Sequence, residues 1–355
     1  MPSKVAAPIV PPATVVVTGA NGFIAQHCVA ALLKTGYHVV GTVRTTVKGT
    51  LVTTTHASHP RLDVVVVPDI TCPRGYLKAL ASHSPAAILH LAAPFHYKAT
   101  DFERDLMVPA VRGSTAVLEA AAQMRSVKRV VHTNSFACIY DAAAGPWPGK
   151  TYTARDWSPL TYRDGASAPD APTAYRACKT AAERAAWDFV EERKLGFDLV
   201  SLCPAMVFGP FLPASKPKTT AALNTSNLLV WSAVSAGRDS PVPPTKGPVW
   251  VDVRDVALAH VKALEVAEAG GRRYLLAQGV YCNQELADLG RSVTAKYADR
   301  LPLGRPGLRE SHKHFAVDAS ETERVLGMRW RGLEECLGDL IPQLFEIERN
   351  QRLSP

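Results

Sequence analysis

The chain has 355 residues, enough for one large domain or a two-lobed unit, and its composition is that of a globular protein. Hydrophobic residues make up 47% of it and charged residues 20%. The net charge of +8 would suit a nucleic-acid binder, but Lys and Arg never form a run longer than two residues. That pattern favours a mildly basic surface, part of which is available to an anionic ligand.

The seven cysteines are scattered without CxxC or metal-ligand spacing, which predicts reduced thiols in a cytoplasmic protein and no metal site. The N-terminal stretch lacks an apolar segment before its prolines, so we expect no signal peptide. No run reaches the roughly 18 apolar residues of a membrane span. We therefore expect a soluble monomer or homodimer with neither membrane nor nucleic-acid partners.

Short β-branched runs alternate with helical stretches through the first half of the chain. The predicted strands cover residues 14–18, 38–44, 63–68, 86–93, 128–134 and 197–204. The predicted helices cover residues 22–36, about 102–123 and the segment around Tyr175. Because the strands are continuously hydrophobic, they fit a parallel sheet that is covered on both faces. The chain is therefore predicted to be an α/β protein with a Rossmann-type, doubly wound parallel sheet.

Beyond Pro204 the alternation loosens into Pro- and Gly-rich loops around a helix near 219–236. The strand predicted at 248–253 and its following helix are expected to return to the main sheet. The predicted dinucleotide-binding domain therefore comprises residues 1–204 and about 249–268. The predicted substrate lobe, smaller and of mixed α/β structure, comprises residues 205–248 and 269–355.

The junction between the first strand and helix has the pattern of a phosphate-binding turn. Gly19 permits a tight turn, Gly22 lets a pyrophosphate approach the backbone, and Ala25 lets the helix lie close to the sheet. The N-terminus of the helix offers free N–H groups and a partial positive charge. A glycine-rich turn alone is a weak signal, but the strand before it and the helix after it predict dinucleotide binding.

The second strand indicates which dinucleotide binds. NAD enzymes usually carry an acid about 20 residues after the turn, whereas this chain has none before Asp63 and places Arg44 and Lys48 there. A guanidinium at that position suits a 2′-phosphate, unless Arg44 merely faces solvent. NADP(H) is thus the predicted cofactor. Asp69 either hydrogen-bonds the adenine amino group or caps the following turn.

Tyr175 and Lys179 are four residues apart in a predicted helix and therefore share one face. A phenol ordinarily ionises near pH 10, but an ammonium about 4 Å away favours phenolate by on the order of 4 kcal/mol before desolvation. Such a pair can act as a general acid and base near neutrality. In the same chain as the phosphate turn, it indicates catalysis rather than an ordinary helix surface.

The chain resembles the extended branch of the short-chain dehydrogenase/reductase superfamily over nearly its whole length. The matching segments are TGANGFIA (18–25), HLAAP (90–94), HTNSFA (132–137), AYRACK (174–179), CPAMVFGP (203–210) and VWVDVRDVALAHVKAL (249–264). Arg44, DWSPLTY (156–162) and LNTSN (223–227) are similar to fungal methylglyoxal/aldehyde reductases and to plant dihydroflavonol and cinnamoyl-CoA reductases. Relatives usually have TSS where this chain has TNS, so Asn134 is expected to alter the surroundings of Ser135 more than the mechanism.

The resemblance implies catalytic roles. Ser135, unless it is a strand-end turn serine, would hydrogen-bond the substrate carbonyl, and Tyr175 would protonate it. Lys179 would hold the nicotinamide ribose and favour the phenolate. The backbone at 91–93 would pass under the cofactor, and the end of the sixth strand would meet the nicotinamide. The predicted cofactor-binding residues are Gly19, Asn21, Gly22, Phe23, Ile24, Arg44, Lys48, Asp69, Ile70, Leu91, Ala92, Ala93, Tyr175, Lys179, Pro204 and Val207.

The substrate pocket is predicted to be apolar and aromatic, although some of its residues are equally compatible with plain core. The predicted wall residues are Phe95, Phe136, Tyr140, Met206, Phe208, Leu212, Asn227 and Trp231. This character predicts NADPH-dependent reduction of a hydrophobic ketone or aldehyde, with a secondary-metabolism ketoreductase as one candidate. The alternatives are a nucleotide-sugar epimerase/dehydratase, a 3β-hydroxysteroid dehydrogenase/isomerase, and a non-catalytic NADP-sensing regulator. The first two mostly use NAD, which Arg44 disfavours.

Overall fold

The computed structural model describes residues 6–93 and 99–353. Its strands are β1 (Thr14–Thr18), β2 (His38–Val43), β3 (Leu62–Val66), β4 (Ala87–His90), β5 (Arg129–Thr133), β6 (Thr151–Tyr152), β7 (Asp198–Pro204), β8 (Met206–Phe208), β9 (Val249–Asp252), β10 (Arg272–Leu276), β11 (Gly279–Val280) and β12 (Ala316–Val317). Its helices are α1 (Phe23–Thr35), α2 (Thr46–Thr55), α3 (Pro73–Ala79), α4 (Val108–Gln123), α5 (Tyr162–Ala166), α6 (Ala171–Glu191), α7 (Thr225–Val234), α8 (Val253–Glu265), α9 (Asn283–Val293), α10 (Ser320–Leu326) and α11 (Leu333–Leu353).

The main sheet has seven parallel strands in the order β10-β7-β5-β4-β1-β2-β3. Helices α1, α2 and α8 pack on one face, against residues such as Val17 and Val131. Helices α3, α4 and α6 cover the other face, against residues such as Val16 and Val130. The strand order reverses between β1 and β4, and ligands of such sheets bind outside the strand ends at that point. The doubly wound sheet predicted from the sequence is confirmed.

The strand predicted at 248–253 does not return to the main sheet, which corrects the sequence-based assignment. Strand β9 pairs with β8 and β11 in a separate three-stranded sheet. The seventh strand of the main sheet is β10, which lies beside β7 and within the range predicted for the substrate lobe. Gly270 allows the chain to approach β7 closely before β10, because a Cβ there would lie 2.0 Å from Asp198 Oδ2 at the start of β7.

The smaller lobe has its own apolar core between the three-stranded sheet and helices α7, α9 and α11. Trp250, Tyr281 and Leu340 are among its fully buried residues. A separate cluster of aromatic residues, which contains Phe136, Tyr152 and Phe315, links the lobe to the main sheet. In the part of the chain that the structure describes, no helix is both long enough and apolar enough to cross a bilayer.

Candidate active site

The turn after β1 is tight and packs against the backbone after β4. Gly19 has a φ of +65°, and a Cβ on it would lie 3.0 Å from the Cα of Ala92. The Gly22 N–H donates to the Gly19 carbonyl at 2.9 Å, and α1 starts at the next residue. Gly19 therefore meets the demand for a tight turn for which it was predicted, and the N-terminal N–H groups of α1 lie at the turn. The role of Gly22 in admitting a pyrophosphate stays a prediction.

The chain after β4 is fixed to β1 by Thr18. Its hydroxyl oxygen accepts from the N–H groups of Leu91 and Ala92 at 3.1 and 3.0 Å and lies 3.0 Å from His90 Nδ1. These bonds hold the segment that is predicted to pass under the cofactor. Thr18 was not predicted as a site residue, although it precedes Gly19 directly in the matching motif.

The end of β2 has a positive potential that the sequence only partly indicated. Arg44 directly follows this strand, and α2 begins two residues later at Thr46. The Thr45 hydroxyl caps α2 by accepting from the Lys48 N–H at 3.4 Å. Arg44 and Lys48 are exposed. The positive end of the α2 dipole therefore lies beside two cationic side chains.

Asp69 caps its own turn, as one of the two interpretations expected. Its Oδ1 accepts from the N–H and hydroxyl of Thr71 at 2.8 and 2.7 Å. These bonds lower the pKa of Asp69, and the nearby charge of Arg44 lowers it further. The neighbouring Ile70 packs toward Gly113 of α4. Contact of Asp69 with adenine stays a prediction.

The remaining predicted cofactor residues lie near the carboxyl ends of β1, β4 and β7. Asn21, Phe23 and Ile24 are half-buried, as are Leu91 and Ala92, and Ala93 is exposed. The Phe23 ring packs against that of Phe211 at 5.1 Å between centroids. Pro204 ends β7, and the buried Val207 donates its N–H to the Ser226 hydroxyl at 3.2 Å.

Tyr175 and Lys179 share one face of α6, and the Lys179 Nζ lies 5.9 Å from the centroid of the Tyr175 ring. Asp170 caps this helix by accepting from the Thr173 N–H at 2.7 Å. Both predicted catalytic side chains are half-buried. The spacing in the sequence therefore corresponds to a cation beside a phenol.

Ser135 follows β5 and caps a short 3-10 turn, Phe136–Cys138, by accepting from the Ala137 N–H at 3.1 Å. This bond uses a lone pair of the oxygen and leaves the hydroxyl hydrogen available for donation. The turn packs against α6, and the neighbouring Asn134 Nδ2 donates to the Lys179 carbonyl at 3.2 Å. The fold thus brings the predicted serine to the helix that carries Tyr175.

Polar residues form a buried row under α4 and α6, which sequence analysis missed. In-register pairing aligns Thr18, His90, His132, Ser201 and Arg273 across five strands. The His132 Nε2 lies 3.0 Å from the Ser114 hydroxyl, and its ring stacks on that of His90 at 5.6 Å. The burial of His132 lowers its pKa to about 4, so the ring is neutral at pH 7.

Two of the predicted pocket residues, Phe136 and Tyr140, stack on each other with ring centroids 5.0 Å apart. Phe315 packs against both rings, at 5.9 and 6.0 Å between centroids. It was not predicted, since nothing local marks a residue 175 or more positions away as their neighbour. Trp231 packs on Phe345 at 5.2 Å, and Met206 and Leu212 are half-buried. Phe95 lies outside the described residues.

Phe208 and Asn227 have the environment of core residues. Phe208 is fully buried and stacks on Trp250 at 6.0 Å between centroids. The Asn227 amide is fully buried, accepting from the Gly209 N–H at 3.2 Å and donating to its carbonyl at 2.9 Å. Because Asn227 uses both ends of its amide on one residue, it fixes the loop after β8.

The fold and this arrangement define a dinucleotide-binding α/β protein, and comparisons with known proteins specify its family. The profile of the NAD-dependent epimerase/dehydratase family matches residues 15–277. The chain belongs to this family, which confirms the resemblance to the extended short-chain dehydrogenases/reductases.

Its relatives include fungal carbonyl reductases. The chain is 34% identical to the NADPH-dependent methylglyoxal reductase of Saccharomyces cerevisiae, over 94% of this chain and 99% of the relative. It is 37% identical to a ketoreductase of Aspergillus niger, over 94% of this chain and 97% of the relative. The crystal structure of yeast methylglyoxal/isovaleraldehyde reductase with NADPH superposes with a TM-score of 0.88, covering 95% of this chain and 99% of that one at 34% identity.

Proposed function

We propose that this protein is an NADPH-dependent carbonyl reductase that converts a hydrophobic ketone or aldehyde into an alcohol. The observation that carries the proposal is the position of the Tyr175–Lys179 pair. It lies on a helix packed against the turn that Ser135 begins, at the carboxyl edge of the sheet. The names of the yeast and Aspergillus relatives support the same reaction class.

The residues of the turn and of β2 fit NADPH. A Cβ on Gly19 would crowd the Ala92 backbone, so glycine keeps this turn tight, and we expect the pyrophosphate to lie against its backbone. Arg44, Lys48 and the N-terminus of α2 form a cationic site suited to a 2′-phosphate. When bound, the cofactor supplies the hydride that reduces the carbonyl carbon.

The catalytic residues act on the carbonyl oxygen, where negative charge develops. Ser135 donates a hydrogen bond to that oxygen, and Tyr175 transfers its phenolic proton to it. Lys179 holds the ribose hydroxyls and keeps a positive charge beside the phenol. Because these donors are aimed at the developing charge, they stabilise the transition state more than the bound substrate.

Phe136 directly follows Ser135 and packs with the half-buried Tyr140 and the buried Phe315, and these apolar surroundings favour an apolar substituent on the substrate. A nucleotide sugar would need more charged and hydrogen-bonding groups than this aromatic cluster supplies. We place the reaction in the cytoplasm, catalysed by a monomer or homodimer.

The experiment compares Tyr175→Phe with Tyr162→Phe, in which a half-exposed phenol outside the site is lost. NADPH oxidation is followed with ketones and aldehydes of graded size, and NADPH binding by fluorescence. We expect Tyr175→Phe to lower kcat by roughly a hundred- to ten-thousandfold with unchanged NADPH affinity, because the proton donor is lost. Tyr162→Phe should match the wild type. Full turnover by Tyr175→Phe, or a wild type that reduces none of the carbonyls, would contradict the proposal.

A further inference from the structure

Asn134 occupies an unusual position between the two parts of the proposed catalytic site. It lies between the end of β5 and Ser135, and it is 4% exposed. Its Nδ2 donates to the Lys179 carbonyl at 3.2 Å and to the Glu183 carboxylate at 2.6 Å. One amide thus connects the serine segment to the backbone and to a side chain of α6.

The carboxylate that accepts from Asn134 is itself held in place. Glu183 is fully buried, one helical turn beyond Lys179 and two beyond Tyr175. Arg273 of β10 donates to both of its oxygens, at 2.8 and 3.0 Å. Burial alone would raise the pKa of Glu183, but the Arg273 guanidinium outweighs burial and lowers it to about 2. The carboxylate is therefore a permanent acceptor at neutral pH.

Arg273 is fixed in turn by the loop after β6. Its Nη1 donates to the carbonyls of Ala154 and Asp156 at 2.6 and 2.9 Å, and its guanidinium lies 3.6 Å from the centroid of the Trp157 ring. Because the arginine cannot move without breaking these contacts, it provides a rigid anchor for Glu183.

The Asn134 amide is retained although it leaves a buried polar atom unpaired. Its Oδ1 has no contact with solvent and no hydrogen-bond partner among the residues that the structure describes. Rotating the amide would place this oxygen against the Glu183 carboxylate and the Lys179 carbonyl, both of which are acceptors. A buried unpaired acceptor costs stability, so its presence indicates that the bonds of the other end serve a purpose.

The geometry required for catalysis supplies that purpose. Ser135 and Tyr175 must reach the same carbonyl oxygen, yet they belong to different elements, β5 and α6. The Cys138 thiol adds a second link, since it lies 2.9 Å from the Ser135 carbonyl and 3.0 Å from Glu183 Oε2. Displacements of about 1 Å in such a site cost up to about a hundredfold in rate.

We propose that Asn134 is a positioning residue, which fixes the separation of Ser135 from the Tyr175–Lys179 pair by bridging β5 to α6. The anchor of this bridge is the buried Glu183–Arg273 ion pair. The inference rests on the proposed function, because it concerns the same three catalytic residues.

The test compares Asn134→Ala with Asn283→Ala. Asn283 is also buried, and its Nδ2 donates to the carbonyls of Pro243 and Pro244 at 3.0 and 3.1 Å, in the smaller lobe. We expect Asn134→Ala to lower kcat by roughly ten- to a hundredfold, while KM and the dissociation constant of NADPH stay within about twofold. Asn283→Ala should lower the melting temperature similarly and leave kcat unchanged.

Two further variants make the result decisive. Asn134→Ser retains a polar donor and carries the test if Asn134→Ala does not fold; it should have an intermediate kcat. In Asn134→Ala/Glu183→Gln the two losses of kcat should not add, because both variants break one link. Wild-type kcat in both Asn134 variants would overturn the inference, as would a lower kcat accompanied by equal loss of NADPH affinity. Inactive Tyr175→Phe alongside fully active Asn134→Ala would leave the proposed function intact and refute only this bridge.

Discussion

Two buried ion pairs of the same chemistry lie at different levels of the main sheet. Arg129 and Asp198, at the starts of β5 and β7, form a bidentate pair with donor–acceptor distances of 2.7 and 2.8 Å. Arg273 and Glu183 form the other bidentate pair near the carboxyl edge, at 2.8 and 3.0 Å. Each arginine also donates to backbone carbonyls.

The two pairs differ in what they hold. Arg129 donates to the carbonyls of Ala263, Val266 and Ala267. The Arg129–Asp198 pair, at the amino edge of the sheet, therefore fixes the C-terminal end of α8. Glu183 instead accepts from Asn134, beside Ser135. An interaction of one chemistry therefore serves the stability of the fold at one edge of the sheet and the geometry of the site at the other.

Neutralising each carboxylate should have the largest effect and tests whether the two pairs differ in function. Asp198→Asn and Glu183→Gln each leave a buried guanidinium without its counter-charge. Each should lower the free energy of unfolding by about 3–5 kcal/mol. The measurement is denaturant unfolding of both variants, followed by kcat of the fraction that stays folded.

Only the carboxyl-edge change should affect turnover. We expect Glu183→Gln to lower the kcat of folded enzyme by about tenfold, because the anchor of Asn134 weakens. Asp198→Asn should retain wild-type kcat at a temperature where it is folded. Equal kcat values for the two folded variants would remove the distinction between the pairs.

Two glycines with positive φ show the same difference between a residue of the site and a residue of the fold, with a smaller expected effect. Gly19 follows β1, and a Cβ there would lie 3.0 Å from Ala92 Cα, whereas Gly36 caps the C-terminus of α1 with its nearest neighbour, Pro11 Cβ, at 3.4 Å. Left-handed backbone at either position costs an alanine about 1–2 kcal/mol. Gly36→Ala should therefore lower only the melting temperature. Gly19→Ala should also weaken NADPH binding, by about tenfold or more, in a fluorescence titration. Equal NADPH affinities would argue against the phosphate turn.

The sequence predicted the parts of the fold that local patterns determine. Continuous apolar runs located the strands of the main sheet up to β7 within a few residues. Helix α2 was missed, because its sequence TVKGTLVTTT is rich in β-branched residues and becomes helical through burial of Gly49 and Val52 against the sheet. Strand β9 was assigned to the wrong sheet, because a strand followed by a helix has the same sequence pattern whichever sheet the strand joins.

The residues of the candidate site also divide into those that local patterns predict and those that only the tertiary structure brings together. Tyr175 and Lys179 were predictable because helical periodicity relates them, and Gly19 because the turn is contiguous. The contact of Asn134 with Glu183 was not predictable, since the two residues are 49 positions apart. Nor was its anchor, since Arg273 lies 90 positions beyond Glu183 and the β7–β10 pairing brings it there. The same holds for Phe315, whose contact with Phe136 depends on how the lobe folds.

The smallest predicted effect concerns acid sensitivity at the carboxyl edge, where the buried row contains two histidines. Burial lowers the pKa of His132 from 6.5 to about 4, with Lys179 lowering and Glu183 raising it, and burial also lowers the pKa of His90. The unfolded chain thus binds these protons more readily. Stability is fully present above about pH 6.5 and is lost as the pH falls toward 4, by about 1 kcal/mol for His132 at pH 5.5.

His132→Gln isolates this contribution, because glutamine is polar but does not titrate. The variant has its own stability at pH 7, so the informative quantity is the loss of unfolding free energy between pH 7 and pH 5.5. That loss should be smaller than in the wild type by about 1 kcal/mol. His312→Gln, which removes an exposed histidine, should keep the wild-type slope. If His132→Gln and His312→Gln lose stability equally on acidification, the buried row is not what makes the carboxyl edge sensitive to acid.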